Sequence, residues 1–296
     1  MHGEAGMTIW KLVIGVVVGG ALLLFVAAML VPTLSCSQTL TNRTVCMSNL
    51  RSINSAITLY KSANDGAWPW LYDKMTAWDT TPVGTNRNVN PFGTGDDPNN
   101  PKPRSITSLM FMLVRQDQPA GMFRCPSDKN SIVDRDDKAT RDDGDKASGV
   151  LEGEYYWDFS KPENLSYSYQ APIWKDGHFA QGIDNVETET VVIADMTPRY
   201  EGYEKWTPIP IDDRTPQAQI ERQSSYNHNG KQVNILRVAG NVAAVKRPDV
   251  GIDKDNIYTA SGNLNAGSQG ATSLDIRKHF STRDTFLIGP VGRKAE

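Results

Sequence analysis

The chain has 296 residues, a formal net charge of -3 and 39% hydrophobic residues, which leaves room beyond a membrane segment for one medium domain or two small ones. Its slight acidity argues against nucleic acid as a partner, since such a binder needs a basic stripe or patch. Three cysteines are too few for a disulfide scaffold, and neither they nor the four histidines fall in a metal-ligand spacing.

Every residue from Leu12 to Val31 is Leu, Val, Ile, Gly, Ala, Phe or Met. About 20 such residues at 1.5 Å each match a bilayer core of about 30 Å, so the run predicts a transmembrane helix. Trp10 stands where an interfacial aromatic sits, and Gly15, Gly19 and Gly20 would let another helix approach closely. A cleaved secretory signal fits less well, because the run is long, Glu4 precedes it and no small-x-small site follows. Thr33-Leu34-Ser35-Cys36 differs from a lipoprotein site in placing its Leu one position late. A short N-terminal side and a large C-terminal side favour export of the latter, which predicts an inner-membrane protein with its folded part in the periplasm.

Pro32 is predicted to bend the chain where it leaves the bilayer. Leu50, Ile53, Ile57 and Tyr60 then recur at helical steps opposite Arg51, Asn54, Ser55 and Lys61, predicting an amphipathic helix from about Thr44 to Ala63. Asn64-Asp65-Gly66 stops it. Residues 79–104 are rich in Pro, Gly, Asn and Asp and read as a long loop. Ile106, Leu109, Met110 and Leu113 predict a short helix capped by Ser105. Strands are expected at 166–169 and 190–194, and a hairpin at 232–238 and 241–246 around Ala239-Gly240. The tail after Pro248 is Gly-, Asn- and Ser-rich and is expected to wrap the domain loosely.

Cys46 and Cys125 admit two readings. One is a disulfide tying the first helix to a later loop in an oxidising compartment, and the other is two buried thiols. The predicted divisions are a leader-like segment over 1–6, a transmembrane helix over 7–34 and its amphipathic continuation over 35–66. A periplasmic α+β domain over 67–248 and a loop-rich tail over 249–296 complete them.

Local residues add a resemblance. Gly6-Met7-Thr8-Ile9-Trp10-Lys11 precedes the apolar run as a prepilin processing motif does. Cys46-Met47-Ser48-Asn49-Leu50-Arg51-Ser52-Ile53, Phe123-Arg124-Cys125-Pro126-Ser127-Asp128, Val192-Ile193-Ala194-Asp195 and Asn227-His228-Asn229-Gly230 follow in order. Together they resemble the type IV prepilin and pseudopilin proteins, in particular a prepilin-type group common in planctomycetes and verrucomicrobia. The resemblance implies a pilin-like α+β fold, with a long N-terminal helix packed on an antiparallel sheet. It implies processing between Gly6 and Met7 by a prepilin peptidase, and assembly with other pilin-like subunits of a type II secretion or type IV pilus-like system. Anchoring and assembly would fall to Thr8, Lys11, Gly15, Gly19 and Pro32.

Two departures stand out. Lys11 occupies the place of the motif's Glu, which is thought to meet a neighbouring subunit's N-terminal amine. The subunit would then cap a filament or stay unassembled as a membrane-tethered binding module. The hairpin turn also reads Ala239-Gly240-Asn241 where the group has Asp-Gly-His.

Other chemistry has ordinary readings beside it. Asp142, Asp143 and Asp145 offer oxygens to Ca²⁺, but no Glu closes an EF-hand loop, and a solvated charge run is the plainer expectation. His228 with Asp195 and Ser224 or Ser225 could form a catalytic set, but no nucleophile motif accompanies them, so the chain is expected not to be an enzyme. Trp68 and Trp70 are expected to pack, whereas Trp174 and Trp206 are candidates for binding a ligand. No cofactor is expected.

Overall fold

The computed structural model describes residues 3–69, 106–132, 158–175, 178–180, 183, 186–198, 207–260, 281 and 283–290, without the side chains of 3–9, 27–37, 106, 174–175 and 178–180. It divides into two units, Met1–Thr44 and Val45–Glu296. Helix α1 (Gly3–Ala63) runs through both and continues across Pro32 without interruption.

In the first unit α1 carries its apolar side chains into solvent, with Leu12 66%, Leu23 73% and Leu24 74% exposed. A Cβ added at Gly15, Gly19 or Gly20 would meet nothing within 4 Å. Among the described residues no helix is long and apolar enough to cross a membrane. The described side chains of this unit's apolar run end at Val26, and the predicted span, Leu12–Val31, continues past them.

The second unit is α+β. Its last turns of α1 point Cys46, Leu50, Ile53, Ala56, Ile57 and Tyr60 inward, which is the three-and-four spacing of the sequence, and Arg51, Ser52 and Ser55 outward. The helix ends as expected. Asp65 and Gly66 take left-handed backbone (φ 51° and 83°), and the Gly66 N–H returns to Lys61 O at 2.8 Å, while Asn64 Nδ2 donates to Tyr60 O. Helix α2 (Ile106–Val114) forms where periodicity placed it and is buried over its length from Thr107, and Ser105, its expected cap, lies outside the described residues.

Strands β1 (Tyr167–Gln170), β4 (Val191–Asp195), β5 (Val233–Arg237), β6 (Val242–Val245) and β7 (Leu287–Ile288) form an antiparallel sheet in the order β6-β5-β4-β1-β7. The predicted hairpin is β5–β6, with Val233 opposite Val245 and Gly240 at φ 85° in its turn. Strands β2 (Ile173–Lys175) and β3 (His178–Ala180) make a second, two-stranded sheet that the sequence reading did not anticipate, as it did not anticipate the short helix α3 (Gln217–Gln223).

The sheet is buried on both faces. Tyr167, Tyr169, Ile193 and Leu236 join the helical core with Leu50, Ile53, Leu109 and Phe123. Val191, Ala194, Val233 and Ile235 face the other way, onto Ile257, Tyr258 and Leu287. Burial of both faces explains why β4 is an unbroken apolar run rather than an alternating one. A register shift between Val191 and Ile193 places Val192 and Ile193 in the same cluster.

The tail corrects the expectation of loose wrapping. Ile257, Tyr258, Phe286 and Leu287 are buried, β7 pairs with β1, and Leu287 N–H donates to Ile257 O at 2.8 Å. The tail therefore supplies an edge strand and much of one apolar layer, so the part of 249–296 that is described belongs to the domain. Its dilution with Gly, Asn and Ser hid a core role carried by two short apolar pieces.

Candidate functional site

The polar groups of the sequence motifs converge inside the second unit. Cys46 on α1 and Cys125 in the loop after α2 form a disulfide with Cα atoms 5.1 Å apart, which decides between the two readings of these cysteines. Three residues along the helix, Asn49 Nδ2 donates to Arg124 O at 2.7 Å, and Tyr167 Oη on β1 donates to Cys46 O at 3.4 Å. Helix, loop and central sheet are thus tied at one point by a covalent bond and two hydrogen bonds.

The loop is held from below as well. Ser166 Oγ donates to Asp128 Oδ2 at 2.7 Å, and Ser166 N–H donates to Phe123 O at 2.9 Å. The Asp of the Phe-x-Cys-Pro-Ser-Asp element therefore anchors its own turn to β1.

On the far side of the disulfide, Asn227-His228-Asn229-Gly230 turns with three successive left-handed residues, His228 (φ 88°), Asn229 (57°) and Gly230 (72°). The turn sends the His228 ring inward, and its Nε2 lies 3.7 Å from Cys125 Sγ and 3.5 Å from Asp195 Oδ2. Asn234 Nδ2 lies 2.9 Å from the same Nε2, and Asn234 Oδ1 accepts from Gln232 Nε2 at 2.8 Å. Which ring nitrogen carries the proton follows from whether Nε2 bonds the Asn234 amide or the Asp195 carboxyl.

Asp195 ends β4 and is completely buried. Its Oδ2 accepts the Asn234 backbone N–H at 2.7 Å, and Asn227 Nδ2 lies 3.5 Å from Oδ1 while donating to Ser166 O at 2.7 Å. Burial pushes the carboxyl up to about 7, against the lowering effect of the Asn234 N–H. Tyr258 Oη donates to Asp195 O at 2.9 Å, and its phenol is pushed well above the usual range by burial and then by the Asp195 charge.

The arrangement does not assemble the hydrolytic set considered from sequence. Ser224 Oγ donates to Ile220 O at 2.9 Å rather than to His228, and Ser225 Oγ accepts the Asn227 N–H at 3.2 Å. All four residues are buried, so a nucleophile here would meet no substrate from solvent.

Other sequence candidates are placed as follows. Trp68 is buried in the helical core with Lys61 Nζ 4.4 Å from the ring centroid, in line with its expected packing. Trp174 pairs with Phe179 across β2 and β3, its side chain lying outside the described residues, as do Trp70, Trp206, Asp142, Asp143 and Asp145. Lys11 is exposed on α1, and Gly6, Met7 and Thr8 lie within the helix with side chains outside the description. The sequence reading missed Asn49, Asn227, Asn234 and Tyr258 as partners of the site. The period-two spacing of Asn234 within a strand of otherwise apolar inward residues was the available signal.

No protein-family model, curated protein or solved structure matches the chain.

Proposed function

We propose that the chain is a non-catalytic, pseudopilin-like subunit of a type II secretion or type IV pilus-like system, held in the inner membrane by α1 with its second unit in the periplasm. The observation that carries this reading is the change of character along one helix. Across residues 12–26 the described Leu, Val, Ile and Phe side chains are 44–74% exposed, whereas farther along the same helix Cys46, Leu50, Ile53, Ile57 and Tyr60 are buried in the core. Exposed apolar surface on that scale needs lipid or partner helices. The disulfide supports an oxidising compartment, where such bonds persist. Burial of Asp195, His228 and Ser224 supports a structural role for the one cluster that resembled catalytic machinery.

Lys11 favours a second reading, a tethered binding module that keeps this fold without assembling. A cation there would repel the neighbouring amine that a Glu would attract. The N-terminal mass of the chain recovered from native membranes separates the two. A start at Met7 with a methylated amine supports processing and assembly, and retention of residues 1–6 leaves the tethered module.

A further inference from the structure

Cys46 Sγ, Cys125 Sγ and His228 Nε2 all lie within 4.8 Å of one another and are buried. A disulfide requires no imidazole at its side. An apolar residue at 228 would fill the space without burying ring nitrogens, and a Gly would take the φ of 88° without strain, which costs a side-chain residue about 1–3 kcal/mol. The chain nevertheless holds an imidazole there, with Nε2 3.7 Å from Cys125 Sγ. Nε2 of a neutral imidazole is a common metal ligand.

We propose that Cys46, Cys125 and His228 form a divalent zinc site when the two cysteines are thiols, so that the same three residues close the helix-to-loop joint in either redox state. Tetrahedral zinc with bonds of about 2.3 Å to sulfur and about 2.0 Å to nitrogen puts its sulfur and nitrogen donors about 3.5 Å apart. The observed Cys125 Sγ to His228 Nε2 separation is 3.7 Å. Two adjustments remain, parting of the two sulfurs and approach of Cys46 Sγ to Nε2 from within 4.8 Å, and Cα atoms 5.1 Å apart leave both to side-chain rotation. Asp195 Oδ2 lies 3.5 Å from Nε2 and stands beside the site. Metal binding at Nε2 displaces its contact with Asn234 Nδ2, now 2.9 Å away.

The chemistry balances simply. A phosphine reductant gives two electrons to the disulfide and becomes the phosphine oxide with water as oxygen source, leaving two thiols. Zinc binding then releases both thiol protons, so the site carries two thiolates, one neutral imidazole and the metal.

The test uses the full chain in detergent with Cys36→Ser, so that Cys46 and Cys125 are the sole thiols, reduced by a phosphine under anaerobic conditions. Co²⁺ is titrated as the spectroscopic probe, followed by Zn²⁺. The expected result is saturation at one equivalent, with tetrahedral d–d bands and thiolate-to-cobalt charge transfer that Zn²⁺ abolishes. His228→Ala should weaken binding by about 100-fold or more, at or above the upper end of what supporting groups contribute. Circular dichroism recorded in parallel should show zinc raising the thermal midpoint of the reduced chain and leaving that of the oxidised chain unchanged. Absence of a saturable tetrahedral spectrum overturns the proposal. So does wild-type affinity in His228→Ala, whether or not the reduced chain stays folded, because thiols of an unfolded chain would bind without regard to residue 228.

Discussion

Asp195 Oδ2 accepts the backbone N–H of Asn234 at 2.7 Å across the β4–β5 ladder, in a place where no water reaches the carboxyl. One good hydrogen bond does not offset the loss of hydration, so the folded chain holds the Asp195 proton to a pH of about 7, with His228 beside it. The unfolded chain releases the same proton near 3.8. Between these values the folded state binds more protons, so the Asp195 contribution to stability is full below about pH 4 and is lost as pH rises to about 7. The change is on the order of 4 kcal/mol, from about 1.4 kcal/mol for each pH unit between the two values. Urea denaturation at several pH values should show this decline in the wild type relative to Asp195→Asn, which has no proton to lose. Parallel pH profiles for the two proteins would contradict it.

The Cys46–Cys125 bond closes a sequence separation of 79 residues. Constraining an unfolded loop of that length is worth about 4.5 kcal/mol in the chain-entropy estimate, with native bonds commonly giving between about 2 and 5 kcal/mol. In the presence of a chelator, Cys46→Ser/Cys125→Ser should lower the urea midpoint accordingly. Asn49→Ala should cost about 1–3 kcal/mol, since it leaves the Arg124 carbonyl without its helix partner at the same joint. Equal midpoints for wild type and the double Ser variant would show that the joint is held without the bond.

Elements marked by local signals were legible in the sequence. The Leu50–Tyr60 stripe, the short helix at Leu109 and the β5–β6 hairpin all came out within a residue or two, because their apolar spacing and their turn signals are local to each segment. Strand β4 was legible as a strand through its β-branched run, although its burial on both faces was not. The sheet's fifth strand was not legible, since β7 is two residues long and gains its place only by pairing with β1 more than a hundred residues earlier. The site was half legible. The sequence paired Cys46 with Cys125 and His228 with Asp195, but the convergence of the two pairs depends on the left-handed turn at 228–230 and on asparagines whose partners lie up to 75 residues away. Residue spacing carries no record of such contacts.

Gly230 closes that turn at φ 72°, and a Cβ added there would lie 2.4 Å from Glu221 O, a backbone atom of α3 that cannot rotate away. Gly230→Ala should therefore destabilise the second unit by more than about 1–3 kcal/mol, since steric overlap adds to left-handed strain. Gly240→Ala shares the positive φ, but its nearest neighbour is the Asn54 side chain at 3.0 Å, which can shift. The larger loss is expected at Gly230, together with a change in the His228 ring environment seen by NMR. A smaller loss at Gly230 than at Gly240 would mean that the turn relaxes away from α3.

The exposed face of α1 gives the most direct check on the membrane reading. Leu22 lies near the middle of the Leu12–Val31 run and is 63% exposed. If lipid is what covers this face, an arginine at the centre of the span costs about 2.5–3.5 kcal/mol of insertion free energy. Leu22→Arg should then reduce co-flotation of the full chain with vesicles of zwitterionic lipid. A second arginine at Val18 should deepen the loss. The Val45–Glu296 unit alone should stay with the aqueous fraction, since its α1 segment buries Leu50, Ile53, Ile57 and Tyr60 internally. Flotation unaffected by both arginines would place the apolar face against protein helices instead, and the same variants would then be expected to lose self-association in detergent.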